Sequence, residues 1–196
     1  MKHILTLVSG NGSNLQALID AERQDGLGNG VIAAVVSDKP NAFALERAKN
    51  AGIPAFTILP DKNLPKQARR LELSNRILAK ALELRIDFIV CAGFLSILSG
   101  DIIAVYASRM INIHPSLLPK FGGQGMYGEN VHRAVLDAGE RESGCTVHFV
   151  DVGADTGQII LQRAVPVLSS DTPETLAERI HVQEHAAIVE AVRRMI

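Results

Sequence analysis

The sequence has almost no net charge, no long apolar run and too few cysteines for a network of disulfides, and each absence excludes a class of protein. The net charge of the 196 residues is −1, so there is no global basic field for holding nucleic acid. No stretch reaches the length of a membrane span, and the first apolar run, Ile4 to Val8, is too short for a signal peptide. The two cysteines, Cys91 and Cys145, lie in apolar runs and predict buried thiols in a reducing compartment. We therefore expect a cytoplasmic protein that binds neither nucleic acid nor membrane.

The composition that is present is typical of a folded domain. Hydrophobic residues make up 47% of the chain and charged residues 21%, which argues against disorder and against a fibrous repeat. A length of 196 residues allows one sizeable core and is short for two domains with a linker. No internal repeat or low-complexity tract interrupts it. We expect a single domain over residues 1–196.

Apolar strand patterns and helical patterns alternate along the chain. This order predicts an α/β fold with a doubly wound, mostly parallel sheet, Rossmann-like in its N-terminal half, and an antiparallel strand pair near the C-terminus. The predicted strands cover residues 4–8, 31–37, 54–59, 88–92, 110–114, 145–151 and 158–165. The predicted helices cover residues 15–22, 42–51, 66–84, 99–106 and 131–138, with a long helix that begins near Pro173 and is capped by Asp171 or Thr172.

Two polar residues interrupt an apolar strand near the middle of the chain. The segment Met110 to Pro119 reads Met-Ile-Asn-Ile-His-Pro-Ser-Leu-Leu-Pro, and Asn112 and His114 share one face because side chains two apart in a strand point the same way. An amide beside an imidazole can donate to, and protonate, an oxygen on which charge develops, as acyl transfer requires. The alternative is that both are strand-end polar groups satisfied by backbone.

A glycine-rich turn follows the first strand. Ser9-Gly10-Asn11-Gly12-Ser13-Asn14 lies between a strand and a helix, where backbone N–H groups can approach an anion and the helix N-terminus adds partial positive charge. We expect a phosphate cradle there, with Ser13 or Asn14 as the helix cap. It is not a Walker A loop, and Leu15 replaces the third glycine of a dinucleotide fingerprint. A tight turn without a ligand is the alternative.

An acidic loop, residues 151–157, lies between the last two predicted strands and contains Asp155. A carboxylate near an imidazole raises its pKa and can share a water with it, which suits proton removal from an attacking amine. A turn aspartate that bonds its own loop is the alternative. His132 and His148 lie nearby in sequence, but their spacing fits no zinc motif. We therefore expect no metal and interpret His148 as a polar strand residue.

Taken together, these motifs resemble the folate-dependent formyltransferases. The resemblance rests on Asn112 to Pro119, the acidic loop with Asp155 and the turn from Ser9 to Gln16, and it extends to the triplet Gln183-Glu184-His185, so it covers nearly the whole chain. It implies transfer of a formyl group from the co-substrate 10-formyltetrahydrofolate to the amine of 5-phosphoribosylglycinamide in purine synthesis. It implies small-molecule substrates only, and we expect a monomer or homodimer.

The resemblance also implies roles for individual residues. Asn112 and the protonated form of His114 would together stabilise an oxyanion. Asp155 would fix His114 and a water that relays a proton from the incoming ammonium to the departing folate nitrogen. In the family, the phosphate and ribose contacts fall on Gly12, Ser13, Asn14 and Glu184 of this sequence. The implied folate-binding residues are Arg70, Leu95, Ser96, Ile97, Leu98, Asn112, Asp151 and Asp155.

Two features depart from the common pattern of that family. Many members carry an arginine where this chain has Ser96, and a shorter loop that lacks the Gly-Met-Tyr-Gly sequence at 125–128. We expect these departures to affect folate-tail binding and loop behaviour rather than catalysis. Four glycines within residues 122–128 predict a mobile lid, with a simple connector as the alternative.

Three other functions compete with formyl transfer to the ribonucleotide. A formyltetrahydrofolate deformylase-like hydrolase would use the same donor, but its relatives carry an additional N-terminal regulatory domain. A methionyl-tRNA formyltransferase would need a C-terminal RNA-contacting domain, whereas this chain stops at Ile196. A non-catalytic Rossmann-type nucleotide-binding module would explain the glycine turn, but it would need no constellation of Asn112, His114 and Asp155.

Overall fold

The computed structural model describes all residues, Met1–Ile196, and contains one seven-stranded sheet with helices on both faces. The strands are β1 Lys2–Val8, β2 Gly30–Ser37, β3 Ala55–Thr57, β4 Phe88–Cys91, β5 Met110–His114, β6 Glu142–Phe149 and β7 Ile159–Pro166. The helices are α1 Ser13–Gln24, α2 Phe43–Asn50, α3 Lys66–Glu83, α4 Asp101–Val105, α5 Glu129–Asp137 and α6 Pro173–Met195.

The strands lie in the order β3-β2-β1-β4-β5-β6-β7. The first five pair in parallel, whereas β6 is antiparallel to both β5 and β7. The predicted doubly wound sheet with an antiparallel pair near the C-terminus is therefore confirmed. The chain reverses its direction of progress across the sheet between β1 and β4, and open α/β sheets bind ligands beyond the carboxyl ends of the strands at such a point.

Two apolar layers cover the two faces of the sheet. In β4, Phe88 and Val90 face one layer while Ile89 and Cys91 face the other, as the two-residue period of a strand requires. The first layer packs against α1, α2, α5 and α6, and the second against α3 and α4. Because helices cover both faces, the central strands are apolar on both sides, and this rigid centre holds the strand ends that form the cleft.

The helix ends agree with the predicted pattern at one terminus and differ at another. Thr172 caps α6 through a reciprocal capping box with Thr175, and Pro173 occupies the first turn, as predicted. The expected cap of α1 by Ser13 or Asn14 is wrong. The N-cap is Gly12, in the left-handed conformation with φ 77°, and no side chain bonds the first turn. The first N–H groups of α1 are thus left without a side-chain cap.

Both cysteines are buried and unbridged, as predicted. Cys91 lies in β4 and Cys145 in β6. None of the six helices combines the length and the hydropathy that a membrane span requires.

Candidate active site

A cleft of about 1070 Å³ opens across the carboxyl ends of β1, β4 and β5. It is walled by the turn after β1, the segment after β4, the end of β5, the glycine-rich loop and the acidic loop between β6 and β7. Every residue assigned to a substrate, folate or catalytic role from the sequence lines this one cleft. These residues are Gly12, Ser13, Asn14, Arg70, Leu95, Ser96, Ile97, Leu98, Asn112, His114, Asp151, Asp155 and Glu184.

Asp155 lies at the centre of the polar groups on the cleft floor. Its backbone adopts φ 57°, a left-handed conformation that is uncommon outside glycine and occurs often at functional sites. Its Oδ2 lies 3.5 Å from Nδ1 of His114 and accepts a hydrogen bond from the Gly123 N–H at 2.9 Å. Its Oδ1 accepts from Nδ2 of Asn112 at 3.4 Å. Asp155 therefore bonds outside its own loop and joins the β5 strand end to the glycine-rich loop.

Asp151 in the same loop behaves differently. Its Oδ1 accepts from the Gly153 N–H at 3.0 Å and from the Thr156 hydroxyl at 2.6 Å. These contacts are those of a turn aspartate that stabilises its own loop. The two aspartates of one loop therefore have separate tasks, with Asp151 shaping the loop and Asp155 facing the imidazole.

His114 is held in one tautomer by the backbone. Its Nε2 lies 2.8 Å from the carbonyl oxygen of Phe121, and because a carbonyl can only accept, Nε2 carries the proton. Nδ1 of the neutral ring therefore presents a lone pair toward Asp155. Burial lowers the pKa of His114 more than the Asp155 carboxylate and the Phe121 carbonyl raise it. The Asp155 carboxylate raises the pKa of His114, as expected from the sequence, but desolvation of the imidazolium, which no sequence pattern shows, outweighs this one attraction.

The pKa of Asp155 is shifted in the opposite sense to that of a simply buried acid. Burial raises it, but the imidazoles of His148 and His114 and the Gly123 N–H together hold it below its usual range. Asp155 is accordingly ionised at neutral pH beside a neutral His114. This pairing of an acceptor carboxylate with an unprotonated ring nitrogen suits the reception of a proton at Nδ1.

His148 belongs to the site, and the sequence reasoning missed it. The antiparallel register places it directly opposite Asn112. Its Nδ1 lies 2.8 Å from the Phe149 carbonyl oxygen, so Nδ1 carries the proton and Nε2 accepts from the Asn112 amide at 3.2 Å. Nε2 is also 3.5 Å from Oδ1 of Asp155. His148 thereby fixes which end of the Asn112 amide faces the cleft, and only the strand pairing could have indicated this.

The glycine turn after β1 is held from behind by α2. A Cβ on Gly12 would lie 2.5 Å from Cβ of Ala44, so glycine is required there by packing as well as by its positive φ. Arg47 donates to the carbonyl oxygen and to the side-chain oxygen of Asn11, each at 2.8 Å. These contacts stabilise the turn with the uncapped N–H groups of α1 at the cleft, which is the arrangement that favours an anion.

Glu184 is a buried acid at the same end of the cleft. Burial raises its pKa to about 7, although the neighbouring Asn14 side chain lowers it. Nε2 of His181 lies 3.6 Å from its Oε2. Asn14 is itself buried, and its Oδ1 has no hydrogen-bond partner. Buried polar atoms without partners are uncommon, so Glu184 and Asn14 are suited to bind hydroxyl groups of a ligand.

The segment after β4 forms the opposite wall of the cleft. The Leu95 N–H donates to Oγ of Ser9 at 2.8 Å, and Oγ of Ser96 donates to Oδ2 of the buried Asp38 at 2.6 Å. Leu95 is half exposed toward the cleft while Leu98 is buried. Arg70 lies on α3 at the outer part of the same wall. Apolar side chains between fixed backbone groups are what a flat heteroaromatic ring requires.

The structure contains no group of three or more histidine, cysteine, aspartate or glutamate side chains that could hold a metal ion. His132, on α5, is buried with Nδ1 unpaired, and burial lowers its pKa to about 4.

Comparison with known proteins identifies the class to which this fold and site belong. The formyl transferase family profile matches residues 2–192, and the chain belongs to that family. Phosphoribosylglycinamide formyltransferase of Escherichia coli K12 is 43% identical over 184 residues, which are 94% of this chain and 82% of that protein. The crystal structure of glycinamide ribonucleotide transformylase 1 from Symbiobacterium toebii matches with a TM-score of 0.88 and 39% identity, covering 98% of this chain and 86% of that one.

Some relatives are much longer than this chain. The trifunctional purine biosynthetic protein adenosine-3 of Drosophila melanogaster is 43% identical over all 196 residues of this chain, which span only 14% of that protein.

Proposed function

We propose that this chain transfers the formyl group of 10-formyltetrahydrofolate to the amine of 5-phosphoribosylglycinamide, a step of purine synthesis. The observation that carries the proposal is the arrangement of His114, Asp155 and Asn112 between two differently built ends of one cleft. One end presents uncapped helix N–H groups and a buried acid, which suit a phosphate and ribose. The other presents apolar side chains that suit a pterin. Relatives of similar length carry the name of this activity.

The residues of the site divide the chemistry between them. The folate supplies the formyl carbon, to which the substrate amine forms a new N–C bond while the N10–C bond breaks. The Asn112 amide has two N–H protons, and His148 accepts one of them. The other would leave its long contact with Asp155 and donate to the formyl oxygen as negative charge develops on it. Nδ1 of His114 receives a proton from the incoming amine, directly or through a water held by Asp155. The protonated ring then donates to the same oxygen before the proton passes to N10.

Asp155 makes this proton transfer favourable. Its carboxylate, 3.5 Å from Nδ1, stabilises the imidazolium that forms, while burial disfavours that imidazolium in the free protein. His114 thus stays neutral until the reaction supplies a proton. The resemblance implied that His114 is protonated before the reaction begins. In this proposal His114 is instead protonated during the reaction.

Residues 122–128 would act as a lid tied to this centre. The Gly123 N–H donates to the same Asp155 oxygen that faces His114, so closing the loop would also set the carboxylate. Gly123, Gly125 and Gly128 have positive φ values, which gives this segment conformations open to few other residues. Met126 and Tyr127 line the cleft and supply apolar surface for closure over a ligand.

The proposal also covers the setting of the reaction. Two free, buried thiols fit a reducing compartment, and we propose a cytoplasmic enzyme, monomeric or dimeric, that acts on small molecules without a metal.

The decisive experiment incubates the purified protein with 10-formyltetrahydrofolate, with and without phosphoribosylglycinamide, and follows the deformylated folate by absorbance. Consumption of the donor that requires the amine, and that a chelator leaves unchanged, supports the proposal. Consumption without the amine would instead indicate a hydrolase. Binding of both ligands with no consumption would indicate a non-catalytic nucleotide-binding module.

A further inference from the structure

A chain of hydrogen bonds, buried around Thr146 and partly buried toward the exposed Gln162, lies behind the cleft, and none of Ser116, Thr146, Gln162 and Phe121 lines the cleft itself. Thr146, in β6, is its centre. Its hydroxyl donates to the Ser116 carbonyl oxygen at 2.7 Å and accepts from the Leu118 N–H at 3.0 Å and from the Gln162 amide at 2.9 Å. A threonine hydroxyl has one proton and two lone pairs, so all three of its hydrogen-bonding positions are filled.

The two neighbours of Thr146 extend this chain along the loop after β5. Gln162 reaches from β7 and donates its amide also to the Leu118 carbonyl oxygen at 3.0 Å. Ser116 is fully buried, and its hydroxyl donates to the Lys120 carbonyl oxygen at 2.7 Å, with the Phe121 carbonyl oxygen 3.4 Å away. Residues 116–121 are therefore fixed by contacts from two strands of the sheet.

The end of this chain is the carbonyl group that determines the tautomer of His114. The Phe121 carbonyl oxygen accepts the Nε2–H of His114 at 2.8 Å. Phe121 adopts φ 55°, a conformation that is unfavourable for a bulky aromatic residue, so its surroundings must hold it there. If this carbonyl moved away, the proton of the neutral ring could shift to Nδ1, which would then be unable to receive another proton.

We propose that Ser116, Thr146 and Gln162 are positioning residues that hold the Phe121 carbonyl so that His114 keeps its proton on Nε2 and presents Nδ1 to the reaction. The catalytic part of this inference rests on the proposed function. The structural part concerns the His114 tautomer and can be measured in the protein without substrate.

The test compares Thr146→Val with Thr146→Ser, because valine keeps the shape of threonine without its hydroxyl and serine keeps the hydroxyl. Ser143→Ala is the matched control, since Ser143 is a buried residue of the same strand whose hydroxyl has no partner. Nitrogen-15 spectra of the histidine rings give the His114 tautomer and pKa, assigned with a His114→Gln sample. Steady-state kinetics on the same preparations give kcat and KM.

We expect the wild type, Thr146→Ser and Ser143→Ala to show the Nε2–H tautomer. In Thr146→Val the two tautomers should mix, and the pKa of His114 should fall because the Phe121 carbonyl no longer stabilises the charged ring. The kcat of Thr146→Val should drop about ten-fold, as small misplacements of a catalytic group do, with KM for both substrates within about two-fold. Gln162→Met provides the same test if Thr146→Val does not fold.

A Thr146→Val protein that is less stable, yet keeps the wild-type tautomer and kcat, would overturn the inference and leave these residues a purely structural role. Failure of the proposed function looks different. In that case the wild type would transfer no formyl group, while the tautomer of His114 would still respond to Thr146→Val.

Discussion

Replacing Asp155 by asparagine tests the centre of the proposed mechanism. The substitution keeps the shape of the side chain but removes the charge 3.5 Å from Nδ1 of His114. Two unit charges at that distance attract by about 5 kcal/mol at an effective dielectric constant of about 20. The asparagine dipole and nearby water replace part of that attraction. We therefore expect kcat to fall by at least ~10²-fold, which corresponds to about 2.7 kcal/mol of transition-state stabilisation.

Asp151→Asn is the matched comparison within the same loop. Asp151 accepts only from Gly153 and Thr156 in its own turn, and its proposed contact is with the folate. This variant should raise KM for the folate while kcat stays within about two-fold of the wild-type value. Both variants are measured by the absorbance of the deformylated folate, after circular dichroism has confirmed the fold. A folded Asp155→Asn protein that kept more than about half of the wild-type turnover would refute the assigned role.

Three further predictions follow from other parts of the site. His114→Ala should lower kcat by at least ~10²-fold. The His114 ring of the free wild-type protein should titrate below the ordinary imidazole pKa, because burial lowers its pKa; a His114 pKa above about 6.5 in nitrogen-15 spectra would contradict this. Glu184→Gln should stabilise the free protein at pH 8 by up to roughly 3 kcal/mol and hardly at all at pH 4. The pKa of Glu184 is raised from 4.5 in the unfolded chain to about 7 in the folded protein. The acid therefore does not affect the free energy of unfolding while it is protonated in both states, and it lowers that free energy increasingly as the pH rises from 4.5 to about 7. If Glu184→Gln raised the melting temperature equally at pH 4 and pH 8, this prediction would be wrong. Amide hydrogen exchange in residues 121–129 should slow when a folate analogue and the ribonucleotide are both bound. If these amides were already strongly protected in the free protein and ligands changed nothing, the segment would be a rigid connector rather than a lid.

One probe suggested by the glycine turn is unsuitable. A side chain at Gly12 would clash with Ala44 of α2 before it reached any phosphate. A substitution there would therefore displace the helix and report on packing rather than on anion binding.

The sequence by itself determined the order and type of the elements, because those depend on local periodicity. Residues 66–83 form a helix as their apolar spacing predicts, and the α6 cap needs only Thr172, Pro173 and Thr175 within one turn. Short-range patterns of this kind are set by backbone dihedral preferences and by hydrogen bonds three or four residues apart. The strand-end pair Asn112 and His114 could likewise be found from two-residue alternation alone.

The assignment of more distant residues to the same site came from the resemblance rather than from any pattern. Nothing in local spacing connects Arg70 or Glu184 to Asn112, yet all three line one cleft. A resemblance to a family supplies this information because members of a family share a fold, so residues at matching positions lie in the same site.

Only the tertiary structure decided how the groups of the site act on each other. His148 faces Asn112 because of the antiparallel register of β5 and β6, and the register of β6 with β7 shifts at Val147 and His148, which no local pattern shows. The pKa of His114 is lowered rather than raised because burial depends on every element packed around the ring. Long-range register and desolvation are properties of the whole packed molecule, so they could be read only once the chain was folded.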